Sequence, residues 1–214
     1  MIFLLLLGII PLYGNTNYIL IGPPGSGKGT FSREYITNQH YCHISPGDIL
    51  RTHIKNGTAL GKTIEAIVSR GDYINDSIVF KIIEDEVTTC ALHNIPFIID
   101  GFPRNKSGFV FLDTLLENIN VKNNTVFVYF IIDDTTCIQR ISSRLVCFNC
   151  YNIYNTVTQP PLHAMICDQC GHALEKRLGD TQENTLKRLS YYRKTIEPLI
   201  DYAKLSYNVI AITQ

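Results

Sequence analysis

The stretch Gly22-Pro23-Pro24-Gly25-Ser26-Gly27-Lys28-Gly29-Thr30 lies between an apolar run, Tyr18 to Ile21, and a segment able to start a helix. Few architectures place a glycine-rich turn ending in lysine between a buried strand and a helix. Glycines at 25, 27 and 29 give the backbone conformations barred to residues with a Cβ, so successive N–H groups can turn inward around a polyphosphate. The following helix aims its positive end at the same anion. Lys28 supplies a mobile charge for the outer phosphates, and a nearby hydroxyl can serve a magnesium shell. Gly29 stands where the general pattern has Ser or Thr, and the hydroxyl arrives one residue late at Thr30, so this is a variant phosphate loop.

Strand and helix patterns alternate beyond the loop. The spacing predicts a helix from Ser26 to about Asn38, a short strand over Cys42 to Ser45, and helices over Gly47 to Asn56, Leu60 to Arg70 and Ser77 to Leu92. Apolar runs at Pro96 to Asp100 and Val126 to Ile132 suit strands buried on both faces, and Asn208 to Ile212 supplies another. Helices are expected at Lys106 to Asn118, Thr135 to Arg144 and, as one long stretch, Gln182 to Leu205. The fold class is therefore α/β: an open, parallel, five-stranded sheet with helices on both faces. Leu145 to Gly179 breaks the alternation and reads as a small inserted domain.

The 214 residues fit one sizeable domain, and 45% hydrophobic content can fill its core. With 19 basic and 19 acidic residues, no global charge steers the chain onto nucleic acid or an anionic membrane, so any anion site is local. Ile2 to Ile10 is almost purely aliphatic, yet no Lys or Arg precedes it and no small-residue cleavage site follows. It is also short for a membrane span of about 20 residues. Residues 1–17 are expected to lie outside the core, as a poorly ordered or misassigned extension, a targeting or anchoring segment, or a strand of chain packed on the domain.

Four of the seven cysteines form two knuckles, Cys147-Phe148-Asn149-Cys150 and Cys167-Asp168-Gln169-Cys170, separated by 16 residues. Each knuckle offers two thiolates, and together they meet the needs of a tetrahedral zinc site. Four cysteine ligands leave no open position, so the metal is expected to be structural. Its binding supplies about 10–16 kcal/mol to a segment with little core of its own. His163 and His172 are read as bystanders, and Cys42, Cys90 and Cys137 as small hydrophobes in apolar surroundings. Metal, rather than disulfides, points to a reducing compartment, hence a cytoplasmic protein.

A second motif, Asp100-Gly101-Phe102-Pro103-Arg104, follows a buried strand. In open parallel sheets ligands sit beyond the carboxyl ends of the strands, so Asp100 is expected near the phosphate loop, ordering magnesium and its waters while Arg104 forks onto a phosphate. Together with the variant loop, Ser45-Pro46-Gly47-Asp48-Ile49-Leu50-Arg51, Arg140 with Arg144, Arg177 with Arg188 and the knuckles, this resembles the nucleoside monophosphate kinases, specifically the zinc-lid form of adenylate kinase, over about Tyr18 to Ile212. The resemblance implies a P-loop NTPase-like fold, a domain over 18–214 with an acceptor arm at 45–74 and a zinc lid at 143–180. It implies transfer of the γ-phosphate of ATP to AMP with magnesium, in a monomer with no nucleic-acid partner and no stable membrane association. Gly25, Ser26, Gly27, Lys28, Gly29 and Thr30 would hold the polyphosphate, with Arg140, Ile153 and Tyr154 also touching ATP. Arg51 and Arg104 would clamp the acceptor phosphate, and Arg144, Arg177 and Arg188 would close over the transferring group. Pro46, Asp72, Tyr73, Ile74, Gly101, Phe102, Pro103 and Gly108 would line the AMP site, shared with Arg177 and Arg188.

The chain departs from that family in four ways. Pro46 and Gly108 replace a Thr and a Gln that read the adenine, and Asn105 is a feature of pyrimidine-type monophosphate kinases. Gly179 replaces an acidic residue expected to help hold the lid arginines, and the sequence stops two residues after Ile212, which shortens the loop expected at the ATP base. Two further readings therefore stand beside AMP phosphorylation: a kinase with relaxed or CMP/UMP acceptor choice, and a weakened nucleotide-binding protein whose zinc module contacts RNA or a partner. Neutral charge and the lack of a basic aromatic surface on the knuckles argue against the last.

Overall fold

A computed structural model describes residues 15–38, 40–69, 74–177 and 179–214. Its main sheet is built from β1 (Asn17–Ile21), β2 (Cys42–Ile44), β3 (Phe97–Asp100), β4 (Thr125–Ile131) and the last strand, β8 (Asn208–Thr213). All pairings are parallel, in the order β2-β3-β1-β4-β8. Between β4 and β8 the lid contributes β5 (Arg144–Cys147), β6 (Ile153–Asn155) and β7 (Leu174–Glu175), an antiparallel sheet with β5 in the middle. The helices are α1 (Lys28–Asn38), α2 (Pro46–Lys55), α3 (Ala59–Ser69), α4 (Asp76–Leu92), α5 (Lys106–Asn118), α6 (Asp134–Ser142), α7 (Gln182–Tyr191) and α8 (Leu199–Ser206).

Every residue of β1 is buried, as its apolar sequence requires of a central parallel strand. Ile19 and Ile21 point into one core with residues of α4, α5 and α8, while Tyr18 and Leu20 join Phe31 of α1 on the opposite face. Asn17 is buried too, its Oδ1 accepting a 3.1 Å hydrogen bond from the Phe97 N–H. Leu20 lies opposite Asp100 in register, so the carboxylate emerges beside the entrance to the phosphate loop. Among the described residues no helix is long and apolar enough to cross a membrane.

Several expectations need correction. Cys42 and Cys90 are joined by a disulfide between β2 and α4 rather than packing as separate thiols; Cys90 belongs to the apolar core with Cys42 packed against it, and of the three only Cys137 stays a buried free thiol. The helix expected over Thr135 to Arg144 is capped at Ser143, and Arg144 opens β5. The stretch from Gln182 to Leu205 is not one α-helix. It passes through a π turn, Tyr192–Ile196, where the Glu197 N–H reaches back to the Tyr192 carbonyl. Pro198 has no N–H to give and its ring crowds the carbonyl four residues earlier, which accounts for the shifted ladder. α1 begins at Lys28, since Ser26 and Gly27 still belong to the loop. The expectations for Ile2 to Ile10, Asp72 and Tyr73 lie outside the described residues.

Candidate active site

Gly25 and Gly27 adopt φ of +84° and +87°, so the loop turns where only glycine does so freely. A Cβ at Gly25 would lie 2.9 Å from the Cys137 carbonyl oxygen, because the loop rests directly on α6. Gly29 differs from the sequence expectation: it lies in the first turn of α1 with no left-handed backbone, and a Cβ there would have ordinary room. That Cβ would sit 3.5 Å from Asp100 Oδ2 and 3.5 Å from Ile153 Cδ1, which fixes how closely β3 and the lid approach the loop. Lys28 folds back over it, its Nζ donating to the carbonyls of Gly22 at 2.7 Å and Pro23 at 2.9 Å and to Ser26 Oγ at 3.1 Å. Burial pushes the Lys28 ammonium down to about 8; Asp100 opposes this, while Arg188 and Arg104 add to it. Ser26 is fully buried, and Thr30 lines the cleft with Lys28.

Ser45 caps α2 and Pro46 occupies its first turn, where a missing N–H costs nothing. α2 then carries Asp48 and Arg51 three residues apart on one face, and the two form an ion pair. Burial pushes the Asp48 carboxyl up, but Arg51, with the Ser45 hydroxyl and Arg177, holds it below the usual carboxylate range. After the cis Phe102–Pro103 peptide, Arg104 turns back so that its Nε donates to the Gly101 carbonyl at 2.8 Å. Ile74 borders the cleft below α2 and packs with Leu50, Ile64 and Ile82. Gly108 is buried beneath Asn105 and Phe102, both 3.2 Å from where its Cβ would be, and is not among the residues lining the cleft. Asn105 is the N-cap of α5, its Oδ1 accepting from the Gly108 N–H at 2.7 Å and its Nδ2 donating to Asp76 at 3.0 Å.

The lid brings the remaining cations over the same space. Asp180, 4% exposed, accepts from Arg144 Nε at 2.8 Å and from its terminal nitrogen at 2.6 Å, with Arg188 3.6 Å away. Gly179 takes φ +91°, unfavourable to the acidic side chain expected there, and Asp180 holds the lid arginines instead. Arg177 is brought down to about 10 by burial, with Arg51 and Arg144 beside it adding to the effect. Arg140 donates to Gln214 Oε1 at 2.5 Å and lies 3.5 Å from the Gly25 carbonyl. One continuous cleft of about 1650 Å³ reaches Lys28, Arg51, Arg104, Arg140, Arg144, Arg177 and Arg188. A chain of zero net charge thus gathers Lys28 and the arginines at 51, 104, 140, 144, 177 and 188 at one site, with Arg33 beside them and fewer carboxylates. Asp48 and Asp180 escaped the sequence reading; the three-residue step from Asp48 to Arg51 was a usable signal, whereas the Asp180 contacts arise only from tertiary folding.

The four knuckle sulfurs lie within 4.8 Å of one another. Cys147 Sγ to Cys170 Sγ is 3.4 Å and Cys150 Sγ to Cys167 Sγ is 3.5 Å. A tetrahedron with zinc–sulfur bonds of about 2.3 Å has edges of about 3.8 Å, so the donor set fits zinc. The backbone N–H of His172 draws the Cys170 thiol down to about 6, toward the thiolate a metal needs. Neither His163 nor His172 belongs to the cluster. Tyr154 borders the cleft but turns its hydroxyl inward, accepting from the Asp168 N–H at 2.9 Å and lying 3.5 Å from Cys167 Sγ.

A family model described as adenylate kinase matches residues 20–207. The adenylate kinase of Borrelia duttonii (strain Ly) is 42% identical over 184 residues, 86% of this chain and 83% of the relative. That of Thermosipho africanus (strain TCF52B) is 35% identical over 196 residues, covering 92% of this chain and 91% of its own. That of Thermococcus kodakarensis is 37% identical over 186 residues, covering 87% and 81%. The sheet order, the variant loop, the converging arginines and these similarities lead to one conclusion: the chain belongs to the adenylate kinase family.

Proposed function

We propose that the protein reversibly transfers the γ-phosphate of ATP to AMP, giving two ADP, with magnesium accompanying the nucleotide. The supporting observation is the convergence of cations from the phosphate loop, α2, the turn after β3, the α6–β5 stretch and the stretch from Arg177 to Arg188 on one cleft of about 1650 Å³. Donor and acceptor are both ionised phosphates, so the obstacle is anionic repulsion and in-line placement rather than proton removal. The N–H groups of Gly25 to Thr30, with Lys28, hold the donor polyphosphate; Arg140 and Ile153 lie toward the donor nucleoside. Arg51 and Arg104 clamp the acceptor phosphate, and Arg144, Arg177 and Arg188 neutralise the group in transfer. Magnesium supplies further charge neutralisation when bound with ATP, and Thr30 and Asp100 are the oxygen donors suited to its water shell. The acceptor nucleoside lies among Pro46, Ile74 and Gly101 to Pro103.

The domain runs from about Tyr18, with an arm at 45–74 and a lid at 143–180 that exclude water and so protect ATP from hydrolysis. Zinc in the knuckles stiffens that lid and takes no part in transfer. A cytoplasmic monomer is the accompanying reading; the free lid cysteines favour reducing surroundings, whereas the Cys42–Cys90 disulfide opposes them. The test is turnover of magnesium-ATP with AMP, CMP, UMP and GMP in parallel. AMP is expected to be phosphorylated fastest. A preference for CMP or UMP overturns the acceptor assignment, and ATP binding without turnover of any acceptor overturns the enzymatic one.

A further inference from the structure

Tyr151 follows the first zinc knuckle directly and has φ +59°. Bulky side chains avoid this left-handed region, where glycine or asparagine is the usual occupant. A tyrosine kept in a conformation that disfavours it points to use of its side chain. Its hydroxyl lies 2.8 Å from Thr52 Oγ1, 99 residues earlier on α2. Thr52 spends its own proton on the Asp48 carbonyl at 3.0 Å, so Thr52 accepts and the Tyr151 hydroxyl donates. A second bridge joins the same two elements: Lys55 Nζ donates to the Phe148 carbonyl at 2.8 Å. Both lid partners flank Cys150, a knuckle cysteine, and both arm partners lie within one turn of Arg51.

We infer that Tyr151 is a positioning residue: its hydroxyl latches the metal-ordered knuckle to the arm at Thr52, so that closing the donor lid sets the place of Arg51 in the acceptor site. This rests on the proposed function, since it takes the two covers to lie over two nucleotides. The contact joins the two covers directly, so it couples the two binding events. Removing the latch therefore weakens that coupling while leaving the loop, the arginines and the cysteines untouched.

The coupling is read as the ratio of acceptor dissociation constants without and with a saturating non-hydrolysable ATP analogue. It is measured for wild type, Tyr151→Phe, Thr52→Val, the double variant and Thr52→Ser, using whichever monophosphate wild type phosphorylates best. Tyr151→Phe and Thr52→Val are each expected to cut the ratio by about threefold to tenfold, the worth of one hydrogen bond. The double variant is expected to cut it no further, and Thr52→Ser, which keeps the acceptor oxygen, to restore it. Zinc content is expected to stay equal throughout. A ratio unchanged in Tyr151→Phe, or additive losses in the double variant, overturns the latch. The wild-type acceptor preference tests the functional reading separately, because a wrong acceptor changes the monophosphate used and not the comparison among variants. In Tyr151→Gly the relieved backbone is expected to slow zinc loss to a chelator while the coupling still falls; faster zinc loss there contradicts the strain argument.

Discussion

Lys28 must be charged to hold a polyphosphate, yet its surroundings favour the neutral amine. In the free protein burial lowers it to about 8 from an ordinary 10.5, while donor phosphates pull it back up. Below pH of about 8 the group is charged with and without nucleotide, and its contribution to affinity is flat. Above that value the free protein must first take up a proton, so affinity falls by up to about tenfold per pH unit. Calorimetry of ATP binding in buffers of different ionisation enthalpy should show proton uptake at pH 9 and little at pH 7. Buffer-independent heats at pH 9 contradict the assignment. Lys28→Met should lose both the uptake and phosphoryl transfer while keeping its zinc.

Among the elements, α5 shows how one residue type can carry two meanings. Asn105 suggests a pyrimidine-type acceptor site by its place in the sequence, but its side chain is spent capping α5 and tying it to Asp76 at the start of α4. Asn105→Ala is therefore expected to cost about 1 kcal/mol of stability, the usual worth of an N-cap. The ratio of AMP to CMP turnover should not move. A changed ratio at unchanged stability means that Asn105 reads the base after all. The lid is the opposite case, an element held mainly by its metal: among the described residues its buried core is Leu145, Cys147, Tyr154, Cys167 and Leu174, with Cys150 and Cys170 packed against it. Chelation of zinc should abolish the amide protection of β5 to β7 and collapse turnover, while β1, β3 and β4 stay protected. A chelated protein with an intact lid sheet argues against a structural metal.

For the whole molecule, the disulfide between Cys42 and Cys90 bears on where such a chain can work. Disulfides persist in oxidising surroundings, whereas zinc thiolates require reduced cysteines. Thiol counting on the denatured, demetallated protein should find the five free cysteines and, after reduction, all seven. Seven before reduction removes the disulfide. The sequence determined the sheet, the loop and the knuckles because these are local signals: continuous apolar runs, glycine–lysine spacing and paired cysteines each act within a few residues. Through motif resemblance it also named the arginines at 51, 104, 140, 144, 177 and 188 that line the cleft, but not Arg33. It misjudged Cys42 and Cys90, ran a helix through the π turn before Pro198, and named Gly108 as a lining residue although it is buried under Asn105 and Phe102. Only the tertiary structure decided that Asp180 holds Arg144, that Tyr151 reaches Thr52, and that a chain of zero net charge focuses its cations on one cleft. Those contacts join residues 36 to 99 positions apart, where pairing is set by how helices and lid pack on the sheet rather than by any spacing along the chain.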